Sequence, residues 1–518
     1  MIRYAIPRMR DLPPSVSPPA PAPAPAADPD GRYRRRLAQI LLIGLVGGCL
    51  YLLLTRPAAV PRENALLALM VMVLSGLPAL NYLREREPDP LPALPLIGAF
   101  YLIGFALPVF SLDRVDFQML RPEIVTPTTL AVVIGALLLF YFGYWFSRRY
   151  LFYCATPLRL PRGYDSRWLS FLLWVLLVPH LASLWVPALR NLPSLHHVLE
   201  PAGYVAWGML LLMGLRRVLR PWEMVILLGV CLPLELAARF ASGALLTLVM
   251  FGLFGQIVYW YHARRVAWGL VLLVVLVFVP LQPVKDEFRR YTWRHGRYAN
   301  AGILEKTKLF GQLTWRFYSE PRLDRRAFYE SAAGRVALIR MLAYVMRQSP
   351  SPVPYWEGET YKSLISKFVP RLLWRDKPAD TISHDFGHRY SLIWPSDHVT
   401  AMNMPWLVEL WVNFGPRGLV LGMLFFGLLF GYLTRKLNRS EMTELEFVVG
   451  ATILFPLCVN QESHFAIVAG NVVLLYVVLV LYFRLGFWLQ PRVTRRRAMI
   501  PPATLPLESF AYPVGGPR

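Results

Sequence analysis

The stretch RRVAWGLVLLVVLVFVPLQPVK (Arg264–Lys285) carries no charge between Arg265 and Lys285. A run of this length and composition can cross the hydrocarbon core of a bilayer as one helix. The rest of the chain repeats the theme. Of its 518 residues, 55% are hydrophobic and only 17% charged, with a mean hydropathy of +0.40. Soluble domains carry about 25% charged residues. The composition excludes a soluble enzyme, a secreted disulfide scaffold and a disordered hub. It points to an all-α polytopic membrane protein.

Scanning for comparable runs gives twelve candidate transmembrane helices, near 37–55, 65–83, 91–111, 128–147, 168–189, 201–215, 222–237, 240–261, 266–283, 418–434, 446–459 and 465–486. The sixth, seventh and eleventh are short and carry Gly or Pro. Before the first run lies PPSVSPPAPAPAPAADPD, within Met1–Asp30, followed by Arg32, Arg34, Arg35 and Arg36. A Pro/Ala tract favours an extended, solvated chain. It lacks the short apolar core of a cleavable signal, so residues 1–36 are expected to form a cytoplasmic tail, as a tether or a docking arm.

Net charge is +23, and its placement decides between a nucleic-acid partner and a membrane. Alternate connections hold Arg84 and Arg86; Arg148, Arg149, Arg159, Arg162 and Arg167; Arg216, Arg217 and Arg220; Arg264 and Arg265; and Arg435, Lys436 and Arg439. The last tail, 487–518, adds Arg492, Arg495, Arg496 and Arg497. The intervening short loops hold far fewer. Enrichment of this kind marks the cytoplasmic side, so both termini are expected inside, and no nucleic acid is needed to explain the charge. Between the runs grouped as 37–283 and 405–486 lies a segment, 284–404, too long to be a mere connection. It is expected outside, as one large and mainly helical periplasmic loop domain. Cys49, Cys154, Cys231 and Cys458 show no metal-ligand spacing.

No phosphate loop, zincin motif or nucleophile elbow is present. Candidate chemistry gathers instead near the outer face. In CLPLELAARFASGALL (Cys231–Leu246), Glu235 and Arg239 are spaced to share a helical face. They read either as a self-neutralised pair or as an arginine held at the membrane boundary, where a central charge would cost about 2.5–3.5 kcal/mol. In KDEFRRYTWRHGR (Lys285–Arg297), Lys285, Arg289 and Arg290 would form a basic stripe if helical. KFVPRLLWRDKPAD (Lys367–Asp380) brackets Arg371 and Arg375 between prolines, with Trp374 among them. Arginine forks suit phosphate oxygens, whereas the plain alternative for both stretches is a solvated face. HDFGHRYSLIWPSDH (His384–His398) offers His384, His388 and His398 for acid–base work or saccharide hydrogen bonding. His384 and His388 are spaced compatibly with a metal, but Phe386 and Gly387 between them work against a regular helix and no glutamate completes a zincin, so no metal site is expected. In WLVELWVNFGPRG (Trp406–Gly418), Glu409 and Asn413 share a helical face before Gly415 and Pro416 break the helix. A carboxylate among apolar neighbours suits proton transfer, and a helix-end polar pair is the plainer reading. NQESH (Asn460–His464) adds polar groups on the same side.

The pairing of PRLLWRDKP (Pro370–Pro378) with ELWVNFGPRGLVLGMLFFGLLFG (Glu409–Gly431) resembles the bacterial O-antigen polymerase, or oligosaccharide repeat unit polymerase, family of Wzy-type proteins. The likeness is densest over residues 360–435 and extends loosely to ARFASGALL. It implies an inner-membrane glycosyltransferase that joins polyprenyl-diphosphate-linked oligosaccharides into O-antigen or exopolysaccharide at the periplasmic face, with no cofactor, nucleotide sugar or essential metal. On that reading Arg239, Arg289, Arg290, Arg371 and Arg375 neutralise the diphosphate. Glu409, or one of His384, His388 and His398, takes the acceptor proton. Trp374, Trp394 and Asn413 contact sugar. Its partners are the lipid-linked substrate, membrane lipids, and a chain-length regulator or other polysaccharide assembly proteins. A flippase of lipid-linked saccharide and a non-catalytic secretion scaffold are the competing expectations. The chain shows no internal repeat of the kind many transporters carry.

Overall fold

A computed structural model describes residues 29–111, 120–151, 155–190, 196–293, 296–320, 336–367, 374, 376–377, 380–397 and 400–491. Among these residues the protein is helical, with no strand. The helices used below are α1 (Pro29–Leu54), α2 (Arg62–Arg84), α3 (Ala93–Tyr101, continued by a π turn and a 3-10 turn to Phe110), α4 (Pro127–Tyr150), α5 (Ser166–Trp185) and α6 (His196–Leu215). Next come α7 (Pro221–Ala241), α8 (Leu245–Ala263), α9 (Trp268–Leu281), α10 (Lys285–Thr292), α11 (Ile303–Ser319), α12 (Leu338–Gln348), α13 (Glu359–Lys367) and α14 (Ile382–Arg389). The chain ends on α15 (Trp406–Leu437), α16 (Glu444–Val459) and α17 (Phe465–Leu489).

Ten of these helices, α1–α8, α15 and α17, are long and apolar enough to cross a membrane. The outward faces of α1, α4, α7 and α15 carry exposed Ile, Leu, Val, Phe and Trp. Water would penalise such faces and lipid would not. The other two runs of the expected twelve form shorter helices, α9 with 14 residues and α16 with 16. In α9 the cause is local. Pro280 lies inside its last turn and Pro283 follows it, and proline supplies no N–H to continue the ladder. The uncharged run therefore overstates the helix. At the other extreme, α1 begins before its apolar run. Its basic cluster is helical, and Arg34 is buried on the carbonyls of Glu85 (2.7 Å) and Arg86 (3.1 Å).

Polar contacts sort the helix ends into two sets. The Tyr33 hydroxyl accepts from Val266 N (3.3 Å), Arg148 pairs with Asp89, and Arg435 donates to the Arg148 carbonyl (3.2 Å). Glu446 accepts from Leu160 N (2.7 Å), and Arg216 pairs with Glu444. The arginine-rich connections thus meet at one end of the bundle. Helices α15 and α16 run from that end to the segment 460–464 and the start of α15, which touch where Trp406 N donates to the Gln461 carbonyl (3.1 Å). That opposite end holds the candidate site.

The segment 284–404 is mainly helical where described, but it does not pack as one separate domain. Ile339, Leu342 and Val345 of α12, with Ile382 and Phe386 of α14, join the same apolar core as α2–α8 and α15–α17. Phe288 of α10 and Leu309, Phe310, Leu313 and Phe317 of α11 build a smaller core with Leu245 and Val284.

Candidate functional site

The site grows from the break in α15. Pro416 has no N–H, and Gly415 takes φ 61°, ψ −144°, a conformation open to glycine. The carbonyls of Val412 and Asn413 therefore lose their helical donors. Trp356 N (3.0 Å) and Glu357 N (3.0 Å) supply replacements. This exchange sutures the segment before α13 onto the first turns of α15. Glu357 and Gly358, at φ 50° and 86°, then turn the chain into α13.

That turn brings Thr360 against Glu409. The Thr360 hydroxyl donates to Glu409 Oε1 (2.7 Å) and accepts from Asn413 Nδ2 (2.9 Å), which also donates to the Glu409 carbonyl (2.8 Å). Glu409 Oε2 accepts from Phe465 N (2.6 Å). Phe465 opens α17, where helical N–H groups have no internal partner and favour an anion. Glu409 and Asn413 are both 0% exposed. The shared helical face read from sequence is real, and it is completed by Thr360, which the sequence reading did not single out.

One residue away, His464 Nε2 lies 3.1 Å from Asp380 Oδ2 and its Nδ1 lies 3.3 Å from Ser383 Oγ. Lys367 Nζ pairs with the same Asp380 oxygen at 2.7 Å. Burial alone would raise the Asp380 carboxyl; hydrogen bonds and charge from His464 and Lys367 outweigh it and hold the carboxyl well below its ordinary range. Ser383 begins the strip that continues to His384 and His388. The two imidazoles meet Nε2 to Nε2 at 3.1 Å, and His384 Nδ1 lies 2.9 Å from the Thr400 carbonyl. A carbonyl only accepts, so His384 carries its proton on Nδ1. In the neutral form its Nε2 then accepts from His388. The helix that FG left in doubt does form, as α14. Among the described residues no group of three or more His, Cys, Asp or Glu side chains could hold a metal ion.

The basic candidates divide. On α10, Arg289 Nε donates to the Gly243 carbonyl (3.2 Å) and stacks over Trp293 at 4.3 Å, while Arg290 is exposed. The expected stripe is therefore helical. Its first member, Lys285, is electrostatically coupled to Glu462, whose carboxyl burial pushes up against the opposing pull of that lysine. Arg239 is buried in an internal cluster. Its guanidinium bonds Glu235 Oε1 (2.6 and 2.8 Å) and lies over Tyr204 and Phe251, while His180 (2.9 Å) and Trp207 (3.2 Å) hold Glu235 Oε2. The self-neutralised pair is the reading this geometry matches, and a phosphate there would have to compete with Glu235. Trp374 is 40% and Trp394 81% exposed. Arg371, Arg375 and His398 lie outside the described residues.

Two cavities flank the 460–465 segment. One, of about 690 Å³, lies beside Asn413 and Phe465, walled by Leu364, Leu410, Leu421 and Phe425, with Glu357 and Arg417 also lining it. The other, of about 400 Å³, is lined in part by Glu200, Tyr204, Thr247, Asn460, Ser463 and Asn471. Glu409 lines neither; its neighbours Asn413 and Phe465 carry its influence to the first.

The family described as Domain of unknown function (DUF8712) matches residues 161–487, more than half of the chain, and the protein belongs to that family. The matched region contains every residue of the polar strip. No curated protein matches this chain. No solved structure matches it either.

Proposed function

We propose that this protein is a metal-independent membrane glycosyltransferase that polymerises polyprenyl-diphosphate-linked oligosaccharide repeat units into a surface polysaccharide. The observation that carries the reading is the polar strip Glu409–Thr360–Asn413, His464–Asp380–Lys367 and His384–His388, buried or half-buried at one end of an apolar helical bundle beside a large cavity. In the proposed reaction an acceptor sugar hydroxyl attacks the anomeric carbon of the donor. The new C–O bond forms as the bond to phosphate breaks, and the electron pair leaves with the diphosphate. The proton passes to Glu409 or to the His384–His388 pair. Arg289 and Arg290 with Lys285, together with Arg371 and Arg375, supply positive charge for the leaving group, and Arg239 contributes from behind Glu235. Trp374, Trp394 and Asn413 meet the sugars.

The accompanying membrane reading has twelve traverses of a bacterial inner membrane, with the arginine-rich end and both termini cytoplasmic. The site end and the 284–404 segment are then periplasmic. Helices α9 and α16 support the count by running between the two ends despite their length. Lipids are partners throughout, and a chain-length regulator or other assembly proteins are the expected protein partners.

Purified protein given only a polyprenyl-diphosphate oligosaccharide should produce a ladder of products spaced by one repeat unit. It should need neither nucleotide sugar nor ATP, and chelator should leave the ladder intact. A ladder lost to chelator and restored by one divalent ion would move the chemistry to the His384–His398 segment. Transbilayer movement of substrate without any ladder would replace the polymerase with a flippase.

A further inference from the structure

We propose that the 690 Å³ cavity beside Asn413 is a lateral port for the hydrocarbon chain of a phosphorylated lipid, with Arg417 at the phosphate; the polyprenyl identity of that chain rests on the function proposed above. The cavity lies within the size range of ligand sites, and its placement names the solvent it opens to. Helix α15 turns one face to α4, where Gly427 and Gly431 lie against the backbone of Phe140 and Tyr144. Leu421 and Phe425 line the cavity on the same long apolar helix and are 68% and 55% exposed. A mouth rimmed by exposed Leu and Phe at membrane depth opens to lipid, so its natural visitor arrives through the bilayer.

The polar atoms define which part of the visitor comes to rest. Asn413 Nδ2 is committed to the Glu409 carbonyl and to Thr360, which fixes the amide so that Oδ1 points elsewhere. Among the described residues that oxygen and the Tyr361 hydroxyl are buried without a hydrogen-bond partner, and both residues line the cavity. Buried polar atoms are normally paired, so an unpaired acceptor and hydroxyl just behind the cavity wall are groups that a ligand's own polar group would satisfy once the wall side chains shift. Arg417 is exposed on the spanning helix and makes no hydrogen bond or ion pair among the described residues. A guanidinium there would take a phosphate as a fork. An apolar chain in the cavity, its phosphate at Arg417 and its first hydroxyls at Asn413 and Tyr361 satisfies every one of these groups, and it delivers the headgroup next to the Glu409 strip.

The test uses the full-length protein in nanodiscs with two photoactivatable probes, a polyprenyl diphosphate without sugar and a phosphatidylglycerol. The polyprenyl probe should crosslink within Leu410–Phe426, and unlabelled polyprenyl diphosphate should compete it away. Leu421→Trp, at an exposed position that tolerates bulk, should lose most of that crosslinking while melting like the parent. Arg417→Gln should weaken capture and flatten its dependence on salt. Crosslinking elsewhere, or equal and uncompeted labelling by phosphatidylglycerol, would overturn the port and leave a slot for bulk lipid. The two readings separate cleanly. Competed capture without a product ladder would keep the port and remove the polymerase. An intact ladder from Leu421→Trp would do the reverse.

Discussion

Glu409 takes its two hydrogen bonds from unlike donors, a hydroxyl that can rotate and a backbone N–H that cannot. Glu409→Gln can keep its oxygen on Phe465 N and turn its amide toward Thr360, so the fold should survive at a cost of about 1 kcal/mol. If the carboxylate is the base, activity should fall far more than stability. Thr360→Val is the harsher change, because Glu409 Oε1 and Asn413 Nδ2 both lose a buried partner, for a loss of about 2 kcal/mol or more. Thermal melting of both variants beside product formation tests the split; equal damage to both readouts in Glu409→Gln would make the carboxylate a structural group only. Asp380 gives a pH signature. Its carboxyl is held low in the folded protein, so its contribution to stability is present above the ordinary carboxylate value of about 3.9 and fades as pH falls below it. Asp380→Asn should therefore melt below the parent at neutral pH, and the gap should narrow on acidification. A gap that holds constant down to pH of about 3 would show that the pairing with Lys367 and His464 adds no such term. These contacts also mark how far a sequence can be read. Glu409 and Asn413 were visible because a helix places i and i+4 together. Thr360 was not, since a lone threonine at a helix start carries no periodic signal and its partner lies 49 residues away. Asp380 and His464 stood inside two noted stretches, yet nothing local pairs residues 84 apart.

At the scale of elements, charge-free length and helix length proved to be different quantities. Proline trimmed α9 within a run that reads as an uninterrupted span, whereas polar residues joined α1 and the front of α15 to helices expected to start later. The break at Gly415–Pro416 was legible because both residues act through the backbone. Its consequence, the capture of Trp356 and Glu357 by freed carbonyls, was not, because it depends on which distant segment supplies the donors. Small residues decide the α4–α15 seam. A Cβ at Gly427 would meet the Phe140 carbonyl oxygen, and close backbone approach through glycine is how lipid-embedded helices gain packing when lipid removes the hydrophobic drive. Gly427→Val should force α15 off α4, lowering melting temperature and yield. Gly44→Ala on α1, where a Cβ meets no atom of the described residues within 4 Å, should be silent or slightly stabilising. Similar behaviour of the two variants would deny the seam its role. Since α15 also carries Glu409 and Arg417, the Gly427 variant should lose activity even in the fraction that folds.

For the whole molecule the decisive quantity is which end faces the cytoplasm. The structure gathers the connections bearing Arg34, Arg86, Arg148, Arg216, Arg264 and Arg435 at one end through direct contacts and short chain neighbours. Positive charge is enriched in short cytoplasmic loops and is drawn to the anionic inner leaflet at about 1 kcal/mol per residue near the surface. Gathering these arginines into one layer makes their preferences add rather than cancel. On the topology proposed above the opposite end faces outward with Glu357, Trp394 and the polar strip, and on the proposed function a substrate carried by a lipid diphosphate would need no further activation there. Single cysteines in a background with Cys49, Cys154, Cys231 and Cys458 replaced put this to the test. A membrane-impermeant maleimide added to intact cells with a permeabilised outer membrane should label Trp394→Cys, at a side chain 81% exposed, and leave Arg162→Cys unlabelled until the inner membrane is opened. Labelling of Arg162→Cys alone in intact cells would place the polar strip in the cytoplasm. Glu409, the histidine pair and the Arg417 port would then meet nucleotide-activated donors, and a polymerase working on exported lipid-linked units would no longer be tenable.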